Sequence, residues 1–305
     1  MNSLSSKAPP SPVCKICKGR TRPFADIQAN RTCEDERRPV FPPSPRTVAY
    51  HRCTSCGFMF SSDFDSLTDA ELGAEIYNDD YLLADPGAAG RRPRYQATHY
   101  AAILDRVSLP IRGLDYGGGN GLFARLMTEH GVDFTSYDPY FGDPTPPRER
   151  YNLITCFEVF EHSRDPVGTL ADLLRYLEPC GTVLFTTAIQ PRRVTANWHY
   201  IAPRNGHVSI HSATSLQRLA RDADTSLLSL HDQVHLLYRR EQPALAKALM
   251  NAWPLDEALY NASMRGPAHL VRVAAILRSL GINPGAGMPR HLVRSALHIL
   301  PGAAA

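Results

Sequence analysis

The chain has 305 residues, 43% hydrophobic and 21% charged, which suits one large globular domain with smaller modules and excludes a disordered or fibrous chain. No stretch approaches the ~20 consecutive apolar residues of a membrane span, and residues 1–13 hold no apolar core of a signal peptide, so a cytoplasmic location is expected. The net charge of +3 is unevenly spread: 10 Lys/Arg against 4 Asp/Glu in residues 1–60, 15 against 23 in 61–238, and 8 against 3 in 239–305. Basic flanks around an acidic centre fit segments that dock on each other, a shared anionic substrate, or simply solvated arginines.

Four of the seven cysteines form two pairs, Cys14-x-x-Cys17 and Cys53-x-x-Cys56, each opening a tight turn (Cys17-Lys18-Gly19 and Cys56-Gly57). Two such knuckles supply four thiolates, the tetrahedral set for structural Zn²⁺. In a reducing cytoplasm that outcome is favoured over two disulfides. The 35 residues between the pairs exceed the usual ribbon spacing, so the insert is expected to loop out. Its run Arg37-Arg38-Pro39-Val40-Phe41-Pro42-Pro43-Ser44-Pro45 has the composition of a surface excursion. Cys33 reads as a spare thiol, Cys156 and Cys180 as core or turn residues. A nucleic-acid-binding ribbon is the alternative, but the segment lacks interleaved aromatics and dense Lys/Arg runs, so nucleic acid is not the expected partner.

Residues 66–110 read as helices and connectors, with Tyr100, Ile103, Leu104 and Val107 on one face of a helix before the first strand. Tyr77-Asn78-Asp79-Asp80-Tyr81 reads equally as a packing loop and as a flap over a ligand. Residues 111–114 suit a buried strand, and Leu122, Phe123, Leu126 and Met127 recur at helical spacing. Between them lies Asp115-Tyr116-Gly117-Gly118-Gly119-Asn120-Gly121, an acid at a strand end followed by glycines and a helix start. Such a loop lets a ligand approach the backbone, and the amides of the helix start favour a polar or anionic group. Gly119-Asn120-Gly121-Leu122-Phe123-Ala124 fits the dinucleotide fingerprint, with Asp138 about 20 residues on to hold ribose hydroxyls. Asp115 points elsewhere: an acid before the glycines suits a cofactor ending in an ammonium and repels a pyrophosphate. S-adenosylmethionine carries that ammonium, a sulfonium and a ribose, and no phosphate.

A second strand ends on Asp138, and only 12 residues, rich in proline, precede the next one. That is too short for a helix and a further strand. The strand Leu153-Ile154-Thr155-Cys156-Phe157 runs into Glu158-Val159-Phe160-Glu161-His162. Asp165-Pro166 then caps a helix whose expected stripe is Val167, Leu170, Leu173, Leu174 and Leu177, and Pro179-Cys180-Gly181 turns into a strand at 182–187. Residues 198–212 gather three His, a Tyr and a Trp, without the tight H-x-x-x-H spacing of a histidine metal cluster. A helix from Ser212 to Asp222 and an antiparallel pair at 225–231 and 234–238 close the domain. Residues 255–260 and 269–280 look helical, and 291–300 form a basic amphipathic helix, read as part of a small cap or as a membrane-surface helix.

The acid-plus-glycine loop, Asp138 at the second strand end and the segment 153–162 together resemble the class I S-adenosylmethionine-dependent methyltransferases, whose first motif is D/E-x-G-x-G-x-G. The resemblance implies an α/β, Rossmann-like, mostly parallel sheet with an antiparallel last strand, here without its third, edge strand. It divides the chain into a zinc-binding module (1–65), a methyltransferase domain (66–238) and a helical C-terminal extension (239–305). It implies that S-adenosylmethionine is held by Asp115, Gly117, Gly118, Gly119, Gly121, Asp138, Phe157 and Glu158. The family's acid beside the adenine follows the missing strand, and Asp143 is the residue available to replace it.

The cysteine pairs, with Arg52-Cys53-Thr54-Ser55-Cys56-Gly57-Phe58-Met59-Phe60, resemble the zinc-binding region of methyltransferases acting on nucleotide-linked deoxysugars and of bacterial relatives of unassigned substrate. The stretch 207–216 resembles the segment carrying the histidine base of those enzymes, which makes His207 the candidate base, with Tyr200, then His199 and His211, as further candidates. Residues 239–305 do not resemble the large C-terminal domain of the sugar enzymes. The expected function is methyl transfer to a small molecule, a sugar or glycan precursor among the options, with Zn²⁺ structural. An RNA or protein methyltransferase docking through the zinc module, and a non-catalytic scaffold, stay open as alternatives; the intact glycine loop argues against the scaffold.

Overall fold

The computed structural model describes residues 11–36, 38–140 and 145–253. Its strands are β1 (Thr21–Gln28), β2 (Thr47–Cys53), β3 (Met59–Ser61), β4 (Arg112–Tyr116), β5 (Asp133–Tyr137), β6 (Tyr151–Phe157), β7 (Leu177–Thr186), β8 (Ser209–Ile210), β9 (Ser226–Ser229) and β10 (Val234–Tyr238). Its helices are α1 (Asp69–Glu75), α2 (Tyr81–Ala84), α3 (Arg91–Leu104), α4 (Leu122–Glu129), α5 (Pro166–Arg175), α6 (Ala213–Asp222) and α7 (Ala244–Ala252).

The main sheet has the order β5-β4-β6-β7-β10-β9. β5, β4, β6 and β7 run parallel, and β10 lies antiparallel between β7 and β9. Among the described residues no strand lies outside β5, in keeping with the short segment after Asp138. The central strands are apolar on both sides because helices cover both faces. On one face Tyr100, Ile103 and Leu104 of α3 and Phe123 and Met127 of α4 share a core with Leu245, Leu249 and Met250 of α7. On the other, Leu170 and Leu173 of α5 and Leu216 and Leu219 of α6 pack with Cys14, Cys53, Cys56, Phe58 and Phe60.

Several helical details differ from the sequence reading. Val167 is exposed, because the turn that starts α5 faces water, and Leu177 is buried as the first residue of β7 rather than as the end of the α5 stripe. Asp165 stands at the N-cap of α5, but its side chain makes no capping hydrogen bond. Ser212 does cap α6: its hydroxyl accepts from the Ser215 amide at 3.0 Å.

The insert between the cysteine pairs is corrected more substantially. It does not simply loop out. Residues 21–28 form β1, paired along its length with β2, and only the proline-rich part is largely exposed. The alternation of Ile27 inward and Gln28 outward was obscured by the charged residues around it. The resulting sheet, β1-β2-β3-β8, also recruits β8 from the segment after β7. Ser212 Oγ donates to the Cys56 carbonyl at 2.6 Å and Gln190 Nε2 to the Gly57 carbonyl at 2.8 Å, which fastens the knuckle to the start of α6. The C-terminal expectations at 255–260, 269–280 and 291–300, and Asp143, lie outside the described residues.

Candidate active site

At the carboxyl ends of β4, β5 and β6 lies a cavity of about 820 Å³, the edge at which open α/β sheets collect ligands. Asp115, Gly117, Gly118, Gly119, Asp138, Phe157 and Glu158 line it, and Gly121 stands at the helix start just behind. The loop needs its glycines for two separate reasons. Gly117 sits at φ +76°, and a Cβ there would meet Val159 Cγ2 at 2.5 Å. At Gly118 a Cβ would fall 2.4 Å from Asp115 Oδ2 and 2.3 Å from Ser136 Oγ, so the loop lies directly over the acid.

Asp115 is buried at the end of β4, where Thr155 donates its hydroxyl to Oδ1 at 2.9 Å. Burial pushes the Asp115 carboxyl up to about 7; the Thr155 bond pulls down against this and the Asp138 charge adds to the rise. No cationic side chain of the described residues contributes to its environment. Asp138 accepts the Gly119 amide on Oδ2 at 2.9 Å and the Tyr140 amide on Oδ1 at 2.8 Å, which fixes its carboxylate beside the glycine loop. Phe157 stacks on Tyr100 at 4.8 Å and meets Phe123 edge-on at 5.2 Å, giving the cavity a rigid aromatic wall. Glu158 holds the left-handed conformation at φ +55°, a strained state for a non-glycine residue, tied by its amide to Thr186 Oγ1 at 3.0 Å.

Tyr77, Tyr81 and Leu82 also line the cavity, so the polar aromatic segment borders the ligand space. Burial pushes both phenols up, keeping them neutral. Arg92, also in the lining, is gripped by both oxygens of Asp85 at 2.7 and 2.9 Å.

His207 and Tyr200 lie behind this lining rather than in it. The Tyr200 hydroxyl donates to Glu161 Oε1 at 2.5 Å, and its carbonyl accepts from His207 Nδ1 at 2.9 Å. His207 packs edge-on against His162 at 5.0 Å, and it is His162 that reaches the cavity. Burial lowers His207 to about 3, helped by His162, and lowers His162 to about 4, so both imidazoles are neutral near pH 7. Burial, with the charge of Glu158, raises Glu161 well above the usual carboxylate range. His211 is buried between Phe58 and Phe160, a core position, and His199 packs against Trp198 and Tyr200. Glu161 and His162 were passed over in the sequence because they read as the tail of a motif; their adjacency directly after a buried strand was the available signal.

The four cysteines of the two knuckles come together, with sulfurs all within 4.8 Å of one another. The amides of Ser55 and Cys56 each approach Cys53 Sγ at 3.4 Å, the turn geometry that supports a ligating thiolate. The hydrogen bond from Cys56 lowers Cys14 to about 5 while raising Cys56 itself, so the pair shares a proton. Four soft donors at this separation, fixed by two tight turns, fit a zinc ion. Cys33 stands apart from them, half-buried and 3.8 Å from His207 Nδ1.

A family model described as a methyltransferase domain matches residues 89–230. No curated protein matches the chain. Among solved structures, the chain is similar to the mitomycin 7-O-methyltransferase MmcR (14% identity, TM-score 0.39, covering 56% of this chain and 62% of that one). It is also similar to the plantazolicin methyltransferase BpumL in complex with SAH (12%, TM-score 0.40, 53% and 91%). A third is magnesium protoporphyrin IX methyltransferase from Synechocystis PCC 6803 with bound SAM (16%, TM-score 0.34, 58% and 94%). The chain thus spans under two thirds of the mitomycin enzyme. No helix of the described residues is long and apolar enough to cross a membrane. The matched span contains the glycine loop and the ends of β4, β5 and β6 that line the cavity, and it supports an enzyme that transfers methyl groups.

Proposed function

We propose that the chain transfers a methyl group from S-adenosylmethionine to a small molecule held in the cavity beside β4 and β6. The observation that carries the reading is the buried Asp115 carboxyl directly beneath Gly118, with no cation among the described residues contributing to its environment. An ammonium is the group that relieves such a carboxyl, and a pyrophosphate is the group it rejects. Asp115 would hold the ammonium and Asp138 the ribose hydroxyls, with Gly117, Gly118, Gly119 and Gly121 as the loop and Phe157 and Glu158 as walls. When bound, the cofactor supplies an electrophilic methyl on sulfur.

The protein's own contribution is mainly to hold the acceptor in line and keep water out. Tyr77, Tyr81 and Leu82 line the cavity, and Arg92 there is held by Asp85. His162 presents a neutral imidazole to the cavity, while His207 and Tyr200 back it from behind as positioning residues. A sugar or glycan precursor is one acceptor of this class. In this reading the four cysteines hold a structural Zn²⁺ that keeps the N-terminal sheet folded onto α6. Incubating the full chain with methyl-labelled cofactor and a cell extract, then fractionating by size, tests the acceptor class. Label in the small-molecule fraction upholds the proposal; label confined to RNA or protein, or no transfer at all, overturns it.

A further inference from the structure

We propose that Glu161, His162 and His207 form a second metal site, for a divalent ion of the zinc class, set in the wall of the cavity. Residues far apart in sequence meet here: the loop after β6 brings Glu161 and His162, and the segment leading into β8 brings His207. Their three ligand atoms lie within 4.8 Å of one another. Bonds of about 2.0–2.2 Å to zinc place ligand atoms ~3.4 Å apart. Small side-chain movements therefore close the set around an ion.

The bare donors are what the protein alone does not explain. Glu161 is fully buried, yet its Oε2 has no hydrogen-bond partner. The neighbouring Glu158 is close enough to hydrogen-bond Glu161, which two carboxyls can do only by keeping a proton between them, and a cation is the other way to relieve the pair. A buried carboxylate oxygen left open is costly unless a cation or proton meets it. His162 Nδ1 is likewise buried without a partner at hydrogen-bonding geometry, beside the Gly206 backbone. His207 spends Nδ1 on the Tyr200 carbonyl, so its Nε2 carries the lone pair.

The surroundings are arranged as metal sites are. One residue, Tyr200, orients two of the ligands, through its hydroxyl on Glu161 and its carbonyl on His207. Behind it, Tyr50 of β2 donates its hydroxyl to the His207 carbonyl at 2.8 Å, so the N-terminal sheet fixes the histidine's backbone. Two imidazoles and one carboxylate make a borderline donor set suited to Zn²⁺, Co²⁺ or Fe²⁺ rather than Mg²⁺ or Ca²⁺. Three protein ligands leave a fourth position, and His162 lines the cavity, so that position opens toward the acceptor space. What the open position does, binding an acceptor oxygen, rests on the function proposed above; the binding of the ion does not.

The test is metal content of the full chain after zinc loading and desalting. The wild type should hold about two ions per chain, and Glu161→Gln and His207→Asn about one each. Cobalt replacement guards against misfolding: both variants should keep the thiolate-to-cobalt charge-transfer band of the cysteine site and lose the visible bands of the nitrogen–oxygen site. One ion in the wild type, or two in both variants, overturns the proposal and leaves Glu161 sharing a proton with Glu158. Calorimetry with S-adenosylhomocysteine on the same samples keeps the readings apart. Two ions without cofactor binding uphold the site and overturn the cofactor reading, and one ion with the cofactor product bound does the reverse.

Discussion

In the proposed reading Asp115 is the residue that meets the cofactor's ammonium, and its burial makes a signed pH prediction. The folded carboxyl titrates near 7 against an ordinary value of 3.8, so between these values the folded protein holds a proton that the unfolded chain has lost. This contribution favours the folded state at low pH and is lost as pH rises through about 7. A bound ammonium favours the carboxylate, so affinity for S-adenosylhomocysteine should rise with pH across the same window, with proton release. Calorimetry in buffers of different ionisation enthalpy reads that release directly, and Asp115→Asn should abolish it while weakening binding by roughly 1–3 kcal/mol. A flat pH profile in the wild type would separate Asp115 from the ammonium. Gly118→Ala makes the complementary steric test. Its Cβ has no room over Asp115 and Ser136, so binding should fall sharply with the far-ultraviolet circular dichroism unchanged. Unaltered affinity would show that the loop is not held against the acid.

At the scale of elements, the glycine-loop side of the cavity is legible in the sequence and the side formed by Glu161, His162 and His207 is not. Strand, acid, glycine loop and helix are contiguous in sequence, so local pattern and ligand chemistry coincide at 111–127. Among the described residues no strand lies outside β5, as a connection of only 12 residues leads one to expect. By contrast, Glu161, His162 and His207 meet only because β8 leaves the main domain to pair with β3, which no local period reports. β1 was missed for a related reason: its partner β2 lies beyond a proline-rich run, and its exposed face is charged. Ser212 joins these elements, capping α6 and holding the Cys56 carbonyl together. Ser212→Ala should therefore cost about 1–2 kcal/mol in denaturant unfolding, at the upper end for a helix cap. A loss near zero would mean that the knuckle and α6 are not coupled.

Across the whole molecule, the cysteine cluster, the four-stranded sheet and the back of the cavity form one continuous support. The cysteine side chains share a core with α5 and α6, while the segment 196–207 is joined to β2 by Tyr50 and to the connection after β1 by Arg31 and Cys33. Cys53→Ser, or a strong chelator, should release zinc and raise amide exchange in β1, β2 and 196–211, with β4 and β6 still protected. Uniform exchange throughout would show a single cooperative unit instead. The central claim is that the cavity beneath Gly118 is built for S-adenosylmethionine. Titration calorimetry of the full chain with S-adenosylhomocysteine and, separately, with NAD tests it most directly. The account predicts a single saturable site for the former, lost in Asp115→Asn, and no binding of the latter; tight NAD binding in place of S-adenosylhomocysteine would contradict it.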